Sequence, residues 1–135
     1  MMNIELKKGT ILTHQELIDK FSVANMGGMR RSVKNNVLIL IHKHDSLYQD
    51  RWQDGVLLYT GMGKKGDQDI NFQQNKTLAQ SETNGVTVLL FSSTARDEYV
   101  FEGEVVLAAN PYYEIQSDEA NQKRKVVIFP LKLAG

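Results

Sequence analysis

The stretch YTGMGKKGDQ, residues 59–68, follows an apolar run and combines an aromatic residue, a hydroxyl, three glycines and two lysines. Tyr59 and Thr60 are predicted to end a strand. Gly61 and Gly63 carry no side chain that would obstruct a tight turn, so the backbone after the strand can come close to another group. A basic, glycine-rich loop after a buried strand makes phosphate binding the first hypothesis to test.

The nucleotide P-loop does not fit this stretch. A P-loop has four residues between its glycines, followed by Gly-Lys and a hydroxyl residue at the start of a helix. The stretch supplies neither that spacing nor the hydroxyl. Nucleotide hydrolysis is therefore not the predicted activity.

The segment HKHDSLYQDRWQDG, residues 42–55, brings aromatic and acidic side chains together just upstream. Tyr48, Asp50, Trp52 and Asp54 fall within seven positions. Aromatic rings beside a carboxylate are what a pocket needs to stack a planar heterocycle and to accept hydrogen bonds from its amino group. The alternative is that the aromatic residues cap the end of a sheet and the aspartates make turns. On these residues alone the second interpretation is the simpler one.

Two weaker patterns point to metal chemistry. HKHD, residues 42–45, holds two histidines and an aspartate, but no further anchored ligand is evident, and a zinc site needs at least three protein ligands. Asp67 or Asp69 with the Gln-Asn-Lys of residues 74–76 resembles part of a metal-dependent nuclease centre, but the second acidic ligand is missing. No metal, cofactor or catalytic residue is therefore predicted.

Two short helices are predicted. Thr13 and Glu16 have capping-box spacing, in which a hydroxyl accepts from the third helical amide and a carboxylate bonds back to the cap. Apolar residues follow at helical spacing, so the first helix is predicted over 14–21. The second is predicted over 74–81. Residues 22–32 have no periodicity and two adjacent glycines, so they are predicted to form a loop.

Strands account for most of the remaining chain. Continuous apolar runs predict strands that are buried on both faces, and an alternating run that contains Gly103 predicts a half-exposed strand with a bulge. Pro130 in the last strand indicates an edge position or a bend. The predicted strands span residues 37–42, 56–60, 86–91, 98–108 and 125–133. These elements predict an α+β fold: a strongly curved, mostly antiparallel sheet or small barrel with two short helices.

Composition limits the remaining possibilities. At 135 residues the chain, 1–135, is predicted to be a single domain. Cysteine is absent, which excludes disulfides, thiolate metal sites and cysteine nucleophiles. Sixteen basic residues balance sixteen acidic ones, with a small basic excess before residue 80 and a small acidic excess after it. No run is long enough to span a membrane, so a soluble, cytoplasmic protein without a membrane partner is expected.

The order of the motifs resembles that of the SRA (SET and RING associated, or YDG) domain, a member of the PUA-like superfamily that reads modified cytosine in DNA. The family patterns are a Gly-x-His-Arg-Pro turn, Tyr-x-Asp-Asp, Tyr-Thr-Gly-x-Gly, Asp-Gln before an Asn-x-x-Leu helix, and the naming Tyr-Asp-Gly. The similar segments here are GGMRRS (27–32), YQD (48–50), YTGMG (59–63), DQ with the helix that follows (67–79), and FEG (101–103).

The resemblance implies a role for each matching residue. Family members flip the modified base out of the duplex, stack it between two tyrosines and read its edge with an aspartate. Tyr59 matches one stacking tyrosine and Asp50 the aspartate; Tyr48 or Trp52 would be the second stacking residue. Thr60 and the backbone at Gly61 would line the pocket, leaving little space beyond a methyl-sized substituent. The residues implied at the DNA backbone are Arg30, Arg31, Lys64, Lys65, Asn75 and Lys76.

Some family features are missing here. Only Lys64-Lys65-Gly66 separates the glycine motif from Asp67, where members that sense half-methylated sites have a longer basic finger. Reading of the opposite strand is therefore not predicted. Phe101 and Glu102 replace the naming Tyr and Asp, which is interpreted as a structural change.

The predicted function is thus a non-catalytic reader of 5-methylcytosine or 5-hydroxymethylcytosine in double-stranded DNA. The sequence also resembles the targeting module of bacterial modification-dependent restriction endonucleases, which implies an HNH nuclease as a fused or partner domain. Two alternatives remain: a PUA-like module that binds RNA or a modified nucleotide, and a small nuclease.

Overall fold

The computed structural model describes residues 6–43, 50–63, 66–118 and 120–134. These residues form nine strands and two helices. The strands are β1 (Ile11–Leu12), β2 (Met29–Ser32), β3 (Val37–Lys43), β4 (Arg51–Gln53), β5 (Val56–Thr60), β6 (Thr87–Ala95), β7 (Glu98–Leu107), β8 (Tyr112–Ser117) and β9 (Lys123–Leu133). The helices are α1 (His14–Phe21) and α2 (Gln74–Ala79). Neither described helix is long and apolar enough to cross a membrane.

The strands form one mixed sheet in the order β2-β3-β6-β7-β9-β5-β4, with β1 added to β7 and β8 added to β9. Among the strands that the structure describes, only β3 and β6 pair in parallel, so the sheet is mostly antiparallel as predicted. Within the described residues, β2 and β4 end the path without pairing to each other. The predicted alternative of a closed barrel is therefore not confirmed.

The central strands are buried on both faces. Leu38 and Leu40 of β3 pack in one apolar cluster, while Ile39 and Ile41 pack in a second on the opposite face. Strand β6 divides its side chains in the same way. Because both faces are covered, these strands have continuous apolar sequences instead of alternating ones. The sequence prediction for them is confirmed.

A β-bulge lies in β7 beside Gly103. Leu90 of β6 pairs with Gly103, but the next residue, Phe91, pairs with Phe101, so β7 contains one extra residue. Gly103 has a φ of 128°, which glycine adopts readily. The extra residue moves Phe101 to the opposite face from Val105, although the two are an even number of positions apart. The bulge was predicted; the division of the alternating run between two faces was not.

Pro130 lies in a central strand, so of the two predicted alternatives, an edge position or a bend, the edge position is wrong. Strand β9 has β5 on one side and both β7 and β8 on the other. Pairing with β7 ends at Leu131, and pairing with β8 begins at Ile128. Between them, the carbonyl of Pro130 accepts from the amide of Ala108 as residues 108–111 leave the ladder. Proline is tolerated here because the neighbouring chain does not require its missing N–H.

Helix α1 has the predicted bounds and the complete capping box between Thr13 and Glu16. Helix α2 starts where predicted and ends at Ala79, two residues early. The predicted loop over 22–32 is wrong at its end, because Met29–Ser32 pairs with β3 as strand β2. Strands β1, β4 and β8 were also missed.

Candidate functional site

A cavity of about 470 Å³ lies between the start of β2, the end of β3 and the end of β5. This volume is within the range of about 300–1,000 Å³ that is usual for small-ligand sites. Apolar side chains dominate its wall, with one carboxylate and one ammonium group. The lining residues are Gly27, Gly28, Met29, Ile41, Lys43, Asp50, Tyr59, Thr60, Gly61, Met62, Gly63 and Phe72.

Tyr59 is a buried wall of this cavity. It is the inward residue of β5 and packs in the main apolar cluster. Its hydroxyl donates to the carbonyl oxygen of Gly28 at 2.7 Å, and the carbonyl oxygen of Ile41 is 3.2 Å away. A Cβ on Gly28 would lie 3.2 Å from that hydroxyl, so glycine leaves room for the contact. The ring is therefore held in place by groups from both sides of the cavity.

Asp50 presents a fixed carboxylate to the same cavity. Its side chain is only 5% exposed. Oδ1 accepts a hydrogen bond of 2.7 Å from the amide of Thr60, and Oδ2 lies 3.1 Å from Nδ1 of His42. The structure thus brings Asp50 and Tyr59, both predicted pocket residues, to one site.

Thr60 and Gly61 also reach the cavity, but each has a structural role. The Thr60 hydroxyl lies 3.5 Å from the side-chain amide of Gln116. A Cβ on Gly61 would lie 2.7 Å from Oδ1 of Asn75 and 3.1 Å from the ring of Phe129. Glycine is therefore needed at 61 by the packing of Asn75, and no close approach of a ligand has to be invoked.

Asn75 was predicted to contact the DNA backbone, and this prediction is wrong. The residue is 0% exposed. Its Oδ1 accepts from the amide of Met62 at 2.8 Å, and its Nδ2 donates to the carbonyls of Met62 and Asp69. Asn75 holds the glycine loop against α2 and has no surface for a phosphate.

Arg30 and Arg31 also make hydrogen bonds to other groups of the protein. Arg30 is buried and donates to the carbonyls of Gly27 and Ala24, so it shapes the loop that forms one cavity wall. The half-buried Arg31 donates to the carbonyls of Ser32 and Val37 and to the side chain of Asn36, across the β2–β3 turn. The prediction of a phosphate contact is wrong for Arg30, and the guanidinium of Arg31 is already engaged.

The other predicted site residues have different placements. Tyr48, Lys64 and Lys65 lie outside the described residues. Trp52 is on the edge strand β4, is 43% exposed and is not among the cavity residues. Lys76 is exposed on α2.

Among the cavity residues that were not predicted from the sequence, Phe72 and Lys43 carry groups that a ligand could contact. Phe72 is an aromatic residue at the cavity that remains 45% exposed. Lys43 is exposed and adds an ammonium group at the end of β3. Phe72 lies in the mixed segment DINFQQN (69–75) and Lys43 is the last residue of an apolar strand, so neither has a periodic signal that would have marked it.

A buried polar pair anchors the glycine loop to β9. Gln68 donates to the carbonyls of Gly61 and Gly63 and accepts from the amide of Val127. The buried Arg124 donates to the carbonyl of Gly63 at 2.7 Å and to that of Gly66 at 3.2 Å. In sequence, Arg124 lies within KRK and resembles a surface charge, so its role was not evident.

No group of three or more His, Asp or Glu residues in the described part of the chain is placed to hold a metal ion. His42, one member of the considered metal pattern, contacts Asp50 instead. The other members, His44 and Asp45, lie outside the described residues.

Solved structures with this architecture define the class as the SRA fold. The sulfur-binding and SRA domains of ScoMcrA, complexed with phosphorothioated DNA, match with a TM-score of 0.78 and 17% identity, over 96% of this chain and 40% of that one. The SUVH5 SRA domain in complex with fully methylated CG DNA matches with a TM-score of 0.71 and 17% identity, over 96% and 90%. The DNA modification-dependent restriction endonuclease AspBHI matches with a TM-score of 0.66 and 16% identity, over 87% and 37%.

The sequence model of the ScoMcrA-like SRA domain matches residues 8–134. This chain therefore belongs to the family of ScoMcrA-like SRA domains, and the resemblance found in its motifs is confirmed. No curated protein matches the chain. The chain spans 28% of the structure of the restriction endonuclease ScoMcrA, so it corresponds to one part of that protein.

Proposed function

We propose that this domain binds double-stranded DNA that carries a modified cytosine and holds the modified base, flipped out of the duplex, in the cavity. The observation that carries the proposal is the fixed carboxylate of Asp50 beside the rigid ring of Tyr59. We propose that the domain itself is non-catalytic and that it binds DNA inside the cell.

The carboxylate gives the cavity a preference for an amino group. An ionised aspartate only accepts hydrogen bonds, and cytosine carries an exocyclic amino donor where thymine carries a carbonyl acceptor. The amide of Thr60 and the imidazole of His42 use one acceptor position on each oxygen of Asp50. The remaining lone pairs are available to a base.

Aromatic walls offset the cost of flipping. Extracting a base costs a few kcal/mol, and stacking on an aromatic side chain returns about 1–3 kcal/mol per base. Tyr59 supplies one such wall. Phe72 is the exposed aromatic residue at the cavity among the described residues and takes the role that was predicted for Trp52. Tyr48 remains a prediction for the same role.

Positive charge for the phosphates is proposed at Lys43 and Lys76, which are both exposed. Lys64 and Lys65 remain predicted phosphate contacts. Because the chain has no net charge, unmodified DNA is expected to be held weakly.

The relatives support a role in recognising modified DNA. ScoMcrA and AspBHI are modification-dependent restriction endonucleases, and SUVH5 binds methylated DNA through its SRA domain. By analogy, this domain is proposed to target a restriction endonuclease, with an HNH nuclease as its fused or partner domain.

The test is fluorescence polarisation at fixed salt with one labelled duplex that contains cytosine, 5-methylcytosine or 5-hydroxymethylcytosine. We expect a preference of tenfold or more for a modified duplex, which corresponds to about 1.4 kcal/mol. Asp50→Ala and Tyr59→Ala should lose it. Equal binding of all three duplexes by the wild-type protein would rule out the proposal.

A second probe distinguishes base reading from backbone reading. ScoMcrA was solved with phosphorothioated DNA, so a phosphorothioate duplex of the same sequence belongs in the experiment. We expect no preference for it, because the cavity offers a carboxylate and aromatic walls suited to a base. Competition by structured RNA or by a free modified nucleoside, without any duplex preference, would favour the RNA- or nucleotide-binding alternative.

A further inference from the structure

We infer that His42 is a positioning residue that orients the Asp50 carboxylate and thereby determines which base the cavity accepts. The inference rests on the proposed function, since it concerns how the same cavity selects its base. Nothing in the sequence pattern assigned this role to His42, which had been considered only as a metal ligand.

His42 is a polar residue at the end of a buried strand. It is 4% exposed and ends the apolar run VLILIH on β3. A buried imidazole requires hydrogen-bond partners, and Nδ1 lies 3.1 Å from Oδ2 of Asp50, eight residues further along the chain. Because a carboxylate only accepts, Nδ1 must carry the proton in this contact.

Two donors from two strands hold the two oxygens of Asp50. His42 on β3 faces Oδ2, and the amide of Thr60 at the end of β5 donates to Oδ1. With the backbone amide alone, a single hydrogen bond would oppose rotation of the carboxylate about its bond to Cβ. The second donor removes this rotation, so the remaining lone pairs keep one direction within the cavity wall.

The selectivity of the cavity depends on that direction. A fixed acceptor matches the amino edge of cytosine and meets the carbonyl of thymine with repulsion. A rotating carboxylate can turn away from a mismatched base, so the penalty against the wrong base falls. Stacking and phosphate contacts do not involve His42, so we expect its loss to reduce discrimination more than overall affinity.

The test compares His42→Asn with His42→Gln in the same polarisation assay, with a further duplex in which thymine replaces the modified cytosine. The asparagine amide can donate from near the position of Nδ1, whereas the glutamine amide lies one carbon further out, near the position of Nε2. We expect the Asn variant to retain most of the wild-type preference for the modified cytosine over thymine and the Gln variant to lose most of it. Both substitutions are polar; glutamine is close to histidine in volume and asparagine is smaller, so thermal unfolding checks that each variant folds.

An Asp50→Ala background shows whether His42 acts through Asp50. There, exchanging Asn for Gln at position 42 should change the preference by less than twofold, because no carboxylate remains to be oriented. Equal preference in the Asn and Gln variants with Asp50 present would overturn the inference, while leaving the proposed function intact.

A measurement without DNA separates this inference from the proposed function. Nitrogen-detected NMR of the His42 imidazole should show the proton on Nδ1 in the unmodified protein, and the Nδ1 signal should shift in Asp50→Ala. An Nδ1 that lacks the proton overturns the inference even if modified duplexes are preferred. A protonated Nδ1 with no duplex preference in the unmodified protein would instead reject the proposed function, and base selection by His42 with it.

Discussion

Asn75 and Lys76 are neighbours on α2 that were both predicted to contact DNA, but Asn75 is buried and Lys76 is exposed. Asn75→Ala should destabilise the fold by about 2–3 kcal/mol, because it removes a fully buried side chain that hydrogen-bonds the backbone of Met62 and Asp69. Lys76→Ala should change stability by less than about 0.5 kcal/mol. Urea unfolding of the two variants measures this difference.

In DNA binding we expect the order of the two effects to be reversed, with the larger change in Lys76→Ala. Lys76→Ala should weaken binding equally for modified and unmodified duplexes and reduce the slope of log K against log salt by about one. Folded Asn75→Ala protein should show the same slope of log K against log salt as the wild-type protein. A salt slope unchanged by Lys76→Ala would show that this lysine does not meet a phosphate.

Phe72 is the residue that most directly tests the wall of the cavity. Phe72→Ala should weaken binding of the modified duplex by about 1–3 kcal/mol, the value of stacking on one aromatic side chain. Because Phe72 is 45% exposed, its removal should cost little stability. Val33→Ala on the β2–β3 turn, also exposed and outside the cavity, is the matched control. Wild-type affinity in Phe72→Ala would exclude stacking at this position.

At the scale of elements, an ion pair joins the edge strand β4 to β8. Both nitrogens of the Arg51 fork donate to the Glu114 carboxylate, at 3.1 and 2.6 Å. The hydrogen bond from Arg51 lowers the pKa of Glu114, and the same bond raises the pKa of Arg51. The pair is partly exposed, so solvent screening limits its contribution to about 0.5–1 kcal/mol.

Because the pKa of Glu114 is lowered in the folded protein, the stability of the protein depends on pH. With its folded-state pKa below the ordinary value of 4.5, Glu114 stabilises the protein above that pH and loses this contribution as pH falls through the lowered pKa. Glu114→Gln should therefore be less stable than the unmodified protein at pH 7, with the difference shrinking towards pH 3. Urea unfolding across this range measures it. A difference that stays constant with pH would contradict the ionic origin.

For the whole molecule, binding of a DNA duplex should increase the free energy of unfolding. A duplex that binds the folded domain at one hundred times its Kd adds about 2.7 kcal/mol to the free energy of unfolding. The preferred modified duplex should therefore raise Tm at a concentration where the unmodified duplex has a smaller effect, and Asp50→Ala should remove the difference. Differential scanning fluorimetry with both duplexes measures this. Identical shifts would argue against selective binding.

Several elements could be predicted because their signals are local. Helix α1 has its predicted bounds since the Thr13–Glu16 capping box lies within one turn of the helix. Strands β3 and β6 are buried on both faces, and continuous apolar runs are enough to mark them. The short edge strands β2 and β4 depend on pairing with distant segments, and their own residues carry no distinct pattern.

Residue order alone therefore determined the helices, the core strands, the family and the placement of Tyr59 and Asp50 at one site. Only the tertiary structure decided that Arg30 and Asn75 are internal, that Phe72 lines the cavity, that the end strands of the described sheet do not pair with each other, and that His42 faces Asp50. The physical reason is the distance along the chain over which each kind of interaction acts. Capping and periodicity act over a few residues, whereas a polar side chain becomes structural or available only when the fold brings a distant carbonyl or carboxylate within 3 Å or so of it.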